Sequence, residues 1–293
     1  MNTFLQHLVQ GTALGATYGL VALGYSMQFS AMRLVNFAHG ETFMLGAFVV
    51  LTLNALGVDS YLASFILATI ILGVIGAGIE KVSIRPLYNS SDLNMFVATI
   101  GLAVVLRQIA NVIWGADAQP FPQGFGSDVV NFGRFVATEQ QLGTLIATFV
   151  LMFGFDLFLR RSKLGTAMRA VAQDDNTAAL MGINVLRVKT IVFAISTALA
   201  AAAGIMFASL TFAVFDMGLW MGIKGFAAAV LGGLGNLPGA VVGGLVLGLL
   251  EQFGSGYISS LYREAISLGV LVAVLLFRPQ GILGKGGSAW GKV

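Results

Sequence analysis

The amino-acid sequence predicts an all-α polytopic membrane protein, a bundle of about eight transmembrane helices, and three observations predict it. Apolar segments near 8–30, 42–57, 61–79, 93–114, 142–159, 189–215, 222–252 and 262–277 mostly match the ~20 residues that cross a bilayer. Charged residues are only 10% of the chain, against about 25% in a soluble domain, too few to cover a water-facing surface. No segment alternates with the period of two that marks a barrel strand. Lipid is therefore the solvent for most of this surface. The 38 glycines beside only 5 prolines suit close-packed membrane helices. With no cysteine there is no thiolate site or disulfide, and two histidines, His7 and His39, are too few for a His-rich metal centre. The basic residues lie between apolar runs, not on a soluble face, which argues against nucleic acid as a partner.

Taken in order, the first ten residues carry no Lys or Arg. They lack the basic region of a cleavable signal, so 8–30 is expected to stay as a span. Segment 42–57 is short enough to be half of a broken helix. Pro86 stops the helix entering the loop 80–92. The linker 115–141, with Gln-Pro-Phe-Pro-Gln-Gly-Phe-Gly at 119–126, reads as a turn-rich external loop. Within 222–252, Leu-Gly-Gly-Leu-Gly-Asn-Leu-Pro-Gly (231–239) breaks the helix and predicts a hairpin of two short helices, re-entrant or barely spanning. Twelve of the sixteen Lys and Arg fall at Arg33, in loops 80–92 and 160–189, and in the tail from Arg278 to Lys292. Arg134, Lys224 and Arg263 fall opposite, so the basic loops and the C-terminus are expected in the cytoplasm. The N-terminus comes out external if 8–30 and 42–57 both cross. The whole chain, 1–293, reads as one membrane domain.

Polar residues inside this apolar frame are the functional candidates. Asn36, His39 and Glu41 lie between two apolar runs. At membrane depth they would face a pathway or one another, with Arg33 or His39 as partners for Glu41. In a short cytoplasmic turn, Glu41 would simply favour the start of the next helix. Arg107 lies near enough to a helix end to snorkel, and Asp156, Glu251 and Glu264 are expected to reach water in the same way. Gly11, Gly15 and Gly19, Gly239 and Gly243, and Gly244 and Gly248 repeat at four-residue spacing and are expected to pack helices within the subunit. In loop 160–189, Asp174 and Asp175 precede Asn176-Thr177-Ala178-Ala179-Leu180-Met181-Gly182, a capped short helix stopped by glycine. It is either a docking surface for a cytoplasmic partner or an ordinary amphipathic connector. No phosphate loop, zincin or nucleophile-elbow motif is present.

The chain resembles, from end to end, the LivH-type permease subunits of bacterial ABC importers for branched-chain amino acids. The residues that carry the resemblance include Leu-Gly-Tyr-Ser-Met (23–27), Val-Asn-Phe-Ala-His-Gly-Glu (35–41), Ile-Arg-Pro-Leu (84–87) and Ala-Thr-Ile-Gly-Leu (98–102). They continue through Leu-Gly-Thr-Ala-Met-Arg-Ala-Val-Ala-Gln-Asp (164–174), Met-Gly-Ile-Asn (181–184), Val-Leu-Gly-Gly-Leu-Gly-Asn (230–236) and Phe-Arg-Pro-Gln-Gly-Ile-Leu-Gly (277–284). The resemblance implies an inner-membrane subunit without enzymatic activity or a cofactor of its own. It would work with a homologous second permease, two cytoplasmic ATPases that use the ATP, and an extracytoplasmic solute-binding protein. It also implies that Asn36, His39, Glu41 and Thr99 belong to the translocation path or gate. Asp174, Asp175, Asn176, Thr177, Ala178, Ala179, Gly182 and Asn184 would form the ATPase-coupling loop. The Glu-Ala-Ala triplet of importers in general is only loosely matched, since Asn176-Thr177-Ala178 stands in its place. Permeases for urea and short amides are close relatives, and an ion-coupled transporter or channel acting alone is the alternative from another class.

Overall fold

The computed structural model describes residues 3–126, 128–131 and 136–284. Arg134, Lys285 and Lys292, used above to argue orientation, lie outside them. The long apolar helices are α1 (Thr3–Met32), α2 (His39–Ala55), α3 (Tyr61–Ile79), α4 (Asp92–Trp114) and α5 (Glu139–Arg161), followed by α8 (Val185–Ala208), α9 (Met217–Gly232), α10 (Leu237–Tyr257) and α11 (Arg263–Phe277). Two shorter helices, α6 (Lys163–Gln173) and α7 (Asp175–Leu180), occupy the basic loop. A short antiparallel pair, β1 (Val129–Asn131) and β2 (Val136–Thr138), sits in the linker between α4 and α5. Among the described residues, six helical segments are long and apolar enough to cross a membrane. The chain is a multi-pass all-α membrane protein.

The eight apolar segments resolve into nine helices among the described residues, because 222–252 is the predicted hairpin. Gly233 and Gly235 turn the chain at φ +106° and +86°, where a Cβ would be strained. Asn236 then caps α10 by accepting from the Gly239 amide, and Pro238 occupies its first turn. The expectation of two short helices holds only for α9. α10 runs 21 residues, enough to cross, because the apolar pattern extends beyond residue 252.

Burial divides the helices into an inner and an outer set. From Gly15 to Gln28 every residue of α1 is buried, and α8 is buried over most of its length. Helices α3, α4, α5 and α11 turn most of their surface outward, and that surface is apolar: Ile66, Ile70 and Val74 on α3, Val97, Val104 and Val112 on α4. Such a face is stable only against hydrocarbon or another apolar surface. The inner contacts rest on small residues, as the glycine spacing predicts. A Cβ on Gly15 would come within 2.8 Å of the Leu245 Cα, and one on Gly244 would overlap the Gly19 backbone. Across α2 and α8, a Cβ on Gly46 would sit 2.6 Å from the Ala201 Cα. Backbones this close gain dispersion energy along the whole seam.

The bundle has two distinguishable ends. At the basic end α1 finishes beside the α9–α10 turn, where the Ser30 hydroxyl donates to the Gly235 carbonyl at 2.9 Å. At the opposite end the linker is tied down by backbone hydrogen bonds between Gln119 and Ala213 and by Gln140, which accepts from the Gly124 and Phe125 amides. Glu251 and Lys224 correct the expectation drawn from their positions. Instead of reaching water, Glu251 is fully buried and accepts from Lys224 at 2.9 Å, Ser267 at 2.7 Å and Tyr18 at 3.1 Å. Lys224 sits inside α9, not in an end loop, and α11 covers the pair. Glu264 and Asp156 do keep water access, Asp156 while paired with Arg160 at 2.8 Å.

Candidate functional site

Two regions gather the polar residues singled out in the sequence. The first is the start of α2. Helix α1 ends at Met32, and the segment 33–38 then folds back inward, so that His39 packs against Gly24, two turns above the end of α1. Asn36 turns the chain there by accepting from the Ala38 amide at 3.1 Å. Helix α2 thus begins within the bundle, which is the broken-helix reading of 42–57. Helix α9 is also short, at 16 residues, and the first turns of the two helices meet through glycine. A Cβ on Gly40 would lie 2.6 Å from the Gly222 Cα, and one on Gly218 would meet the Glu41 carboxylate.

Glu41 occupies this junction, only 1% exposed. Its carboxylate stands in the first turn of α2 and against the first turn of α9, where both helix dipoles favour negative charge. Its partner is Arg107, which donates to Oε1 through Nε and Nη2. This corrects two expectations. Arg107 does not snorkel away from α4; a buried carboxylate facing α4 holds it. Nor does Glu41 meet Arg33 or His39: Arg33 faces the basic end, and the His39 ring lies toward Gln28, 3.4 Å from its Nε2. Gln28 in turn donates to Ser196 at 2.6 Å, which joins α1, α2 and α8. Glu41 Oε2, His39 Nε2, Gln28 Oε1, Ser26 Oγ and Thr197 Oγ1 are buried without a protein partner among the described residues. Polar atoms so placed are costly unless water, a solute or a second state of the protein engages them. Thr99 is not drawn into this group. It lies on α4 about two turns before Arg107, its hydroxyl given to its own helix at Phe96.

The second region is α6–α7 at the basic end. Asp174 caps α7, its carboxylate accepting from the Thr177 amide at 2.6 Å, and that bond holds the carboxyl below the usual carboxylate range. Gly182, at φ +83°, closes the helix: its amide donates to Ala179 and that of Ile183 to Ala178, the paired bonds of a glycine C-cap. Ala178 packs inward, while Asn176, Thr177 and Ala179 face water. Leu180 and Met181 are 88% and 79% exposed at the tip. Asn184 starts α8 by accepting from the Arg187 amide at 3.0 Å.

The anchor beneath α7 was not foreseen from the sequence. Asp175 pairs with Lys189 of α8 at 2.5 Å, and the Lys189 ammonium lies over the Tyr88 ring. Tyr88 donates to Glu80 at 2.8 Å; burial, together with that carboxylate, pushes the Tyr88 hydroxyl up and keeps it a donor. Glu80 is fully buried at the end of α3 and also accepts from Arg85 and Thr190. The only local signal was Glu80 standing five residues before Arg85.

The family model described as branched-chain amino acid transport system / permease component matches residues 7–276. The chain belongs to this permease family. The high-affinity branched-chain amino acid transport system permease LivH of Salmonella typhimurium is 38% identical, over 96% of both chains. Its counterpart BraD of Pseudomonas aeruginosa is also 38% identical with the same coverage. Among solved structures, PsaBC from Streptococcus pneumoniae in complex with Fab covers 96% of this chain and 93% of its own at a TM-score of 0.51, with 13% identity. That likeness is one of fold.

Proposed function

We propose that this chain is the membrane-spanning subunit of an ATP-driven importer for branched-chain or other neutral amino acids. The observation that carries the reading is its similarity along almost the whole chain to the LivH and BraD permeases, whose names state that substrate class. On this reading it sits in the bacterial inner membrane with the basic end in the cytoplasm. It pairs with a homologous second permease and receives solute from an extracytoplasmic binding protein. Two cytoplasmic ATPases bind and hydrolyse the ATP, so this subunit needs no cofactor and no catalytic group.

The geometry supports a division of labour. The α6–α7 segment, with Asp174, Asp175, Asn176, Thr177, Ala178, Ala179, Gly182 and Asn184, receives the ATPases; its exposed Leu180 and Met181 offer an apolar patch for a partner to cover. The junction of α2 and α9, with Asn36, His39 and Glu41, forms part of the translocation path or gate, with Thr99 further along α4 as a more distant candidate. The Glu41–Arg107 pair gives this junction a contact that can be made in one state and exchanged in another.

The test is reconstitution of the complete transporter with a panel of amino acids, urea and short amides. ATP-dependent uptake of leucine, isoleucine or valine is expected; uptake by this chain alone along an ion gradient overturns the proposal. Gly182→Val tests the docking surface. At φ +83° a β-branched residue is strained whatever the space around it. The variant should insert in the membrane but fail to retain the ATPases, and normal ATP-driven uptake would refute the docking role.

A further inference from the structure

Arg33 has a backbone conformation unlike any other described residue with a side chain. It alone among the described non-glycine residues has a positive φ, +55°. It closes α1, its amide donating to the Phe29 carbonyl at 2.8 Å, in the left-handed position that glycine usually fills because a Cβ is costly there. What Arg33 supplies and glycine would not is a guanidinium. Its Nη2 donates at 2.9 Å to the carbonyl of Ala172, in the last turn of α6. That is where helix carbonyls lack internal donors and the helix dipole is negative, so a cation is well placed. The side chain therefore grips the end of α6 two residues before the Asp174 cap of α7.

On its other side, Arg33 leads directly into the gate segment. Leu34, Asn36 and Ala38 are buried, and His39 and Glu41 follow in the first turn of α2. Among the described residues, the other side-chain hydrogen bonds and ion pairs that tie α6–α7 to other helices lead elsewhere: Arg169 to the end of α5 through the Leu159 carbonyl, and Asp175 to α8 through Lys189. We infer that Arg33 is a positioning residue that passes movement of the α6–α7 segment to the 34–38 turn and the first turn of α2. This rests on the reading of α6–α7 as the ATPase-docking segment. A displacement at the end of α6 would pull on a residue whose left-handed backbone fixes the direction in which the turn enters the bundle.

The experiment compares solute uptake with ATP hydrolysis in the reconstituted complete transporter. Arg33→Gly keeps the φ without strain and removes the side chain, the guanidinium with it. It is expected to assemble with the ATPases and hydrolyse ATP, while uptake per ATP falls by about fivefold or more. Arg33→Lys, which retains one donor, should recover part of the loss. Should Arg33→Gly fail to insert, the same ratio is read in Arg33→Asn, since asparagine also tolerates this conformation. Unchanged uptake per ATP in the glycine or asparagine variant overturns the inference. So does loss of ATPase assembly in both, which would make Arg33 part of the docking surface rather than a transmitter. Failure of the docking reading itself is seen separately, as Gly182→Val retaining both assembly and uptake.

Discussion

The Glu41–Arg107 pair gives the sharpest test of how charge is held inside this bundle. Its two members are not equivalent: Glu41 is 1% exposed, whereas Arg107 keeps 18% of its side chain accessible. Removing one member of a buried pair costs about 3–5 kcal/mol when the other is left uncompensated. Arg107→Met strands the Glu41 carboxylate in a site it cannot leave, so the full ~3–5 kcal/mol is expected. Glu41→Gln leaves Arg107, about two turns from the end of α4, free to snorkel toward the interface, and the cost falls to about 1–2 kcal/mol, that of a lost charged hydrogen bond partly replaced by the amide. The double variant strands neither charge and should be more stable than Arg107→Met alone, with a coupling energy of about 2–3 kcal/mol. The assay is reversible unfolding of the purified protein and the three variants in mixed detergent micelles. If Arg107→Met costs no more than Glu41→Gln, or if the single effects simply add, the carboxylate is not held by this arginine and the reasoning fails.

Three further outcomes follow from other parts of the fold. Gly244→Ala should destabilise by about 1–3 kcal/mol in the same unfolding assay, because its methyl has only backbone, of Gly19 and Gly15, to displace; Gly154→Ala, where nothing lies within 4 Å, should be neutral or slightly stabilising. Lys224→Met should cost about 3 kcal/mol by leaving the fully buried Glu251 with only the more distant, half-exposed Arg263 at 3.7 Å as its cation, and joint replacement of Glu251 by Gln should recover part of it. The Asp174 cap has a defined pH window. Its native carboxyl lies below the ordinary aspartate range, so its contribution is complete above about pH 4 and disappears only as pH falls through the lowered native value. Amide exchange at Thr177, corrected for intrinsic rate, should report α7 fraying in acid; in Asp174→Asn, whose side chain caps without titrating, the same measurement should be flat through that range.

Much of the architecture was readable because the bilayer imposes it. Span length, the glycine-and-proline break near 235 and the small-residue seams are local patterns, and the described helices follow them. The capped α7 was equally local, since an N-cap and its glycine stop lie within nine residues. The ion pairs were not. Glu41 and Arg107 are 66 positions apart and Lys224 and Glu251 27 apart, each joining two helices whose adjacency no single segment encodes. For a lone charge near a helix end, snorkelling to the interface is the natural reading. It failed where a second helix offered the opposite charge first. Glu80 was missed for a related reason: its partners come from its own turn and from Thr190, and only the packing of α3 on α8 brings the latter within reach.

The seam between α1 and α10 has a mechanical consequence. Where Gly15, Gly19, Gly244 and Gly248 bring main chain against main chain, there are few side chains to change rotamer and little slack to absorb a shift. Two helices joined in this way behave as one stiff beam running from the Phe253 end to the Ser30 end. Any alternation of the bundle must then bend where helices are interrupted, at 33–38, 209–216 and 233–236. On the proposed importer reading, the beam would supply the fixed frame, and these three interruptions the places about which α2 and α9 would swing.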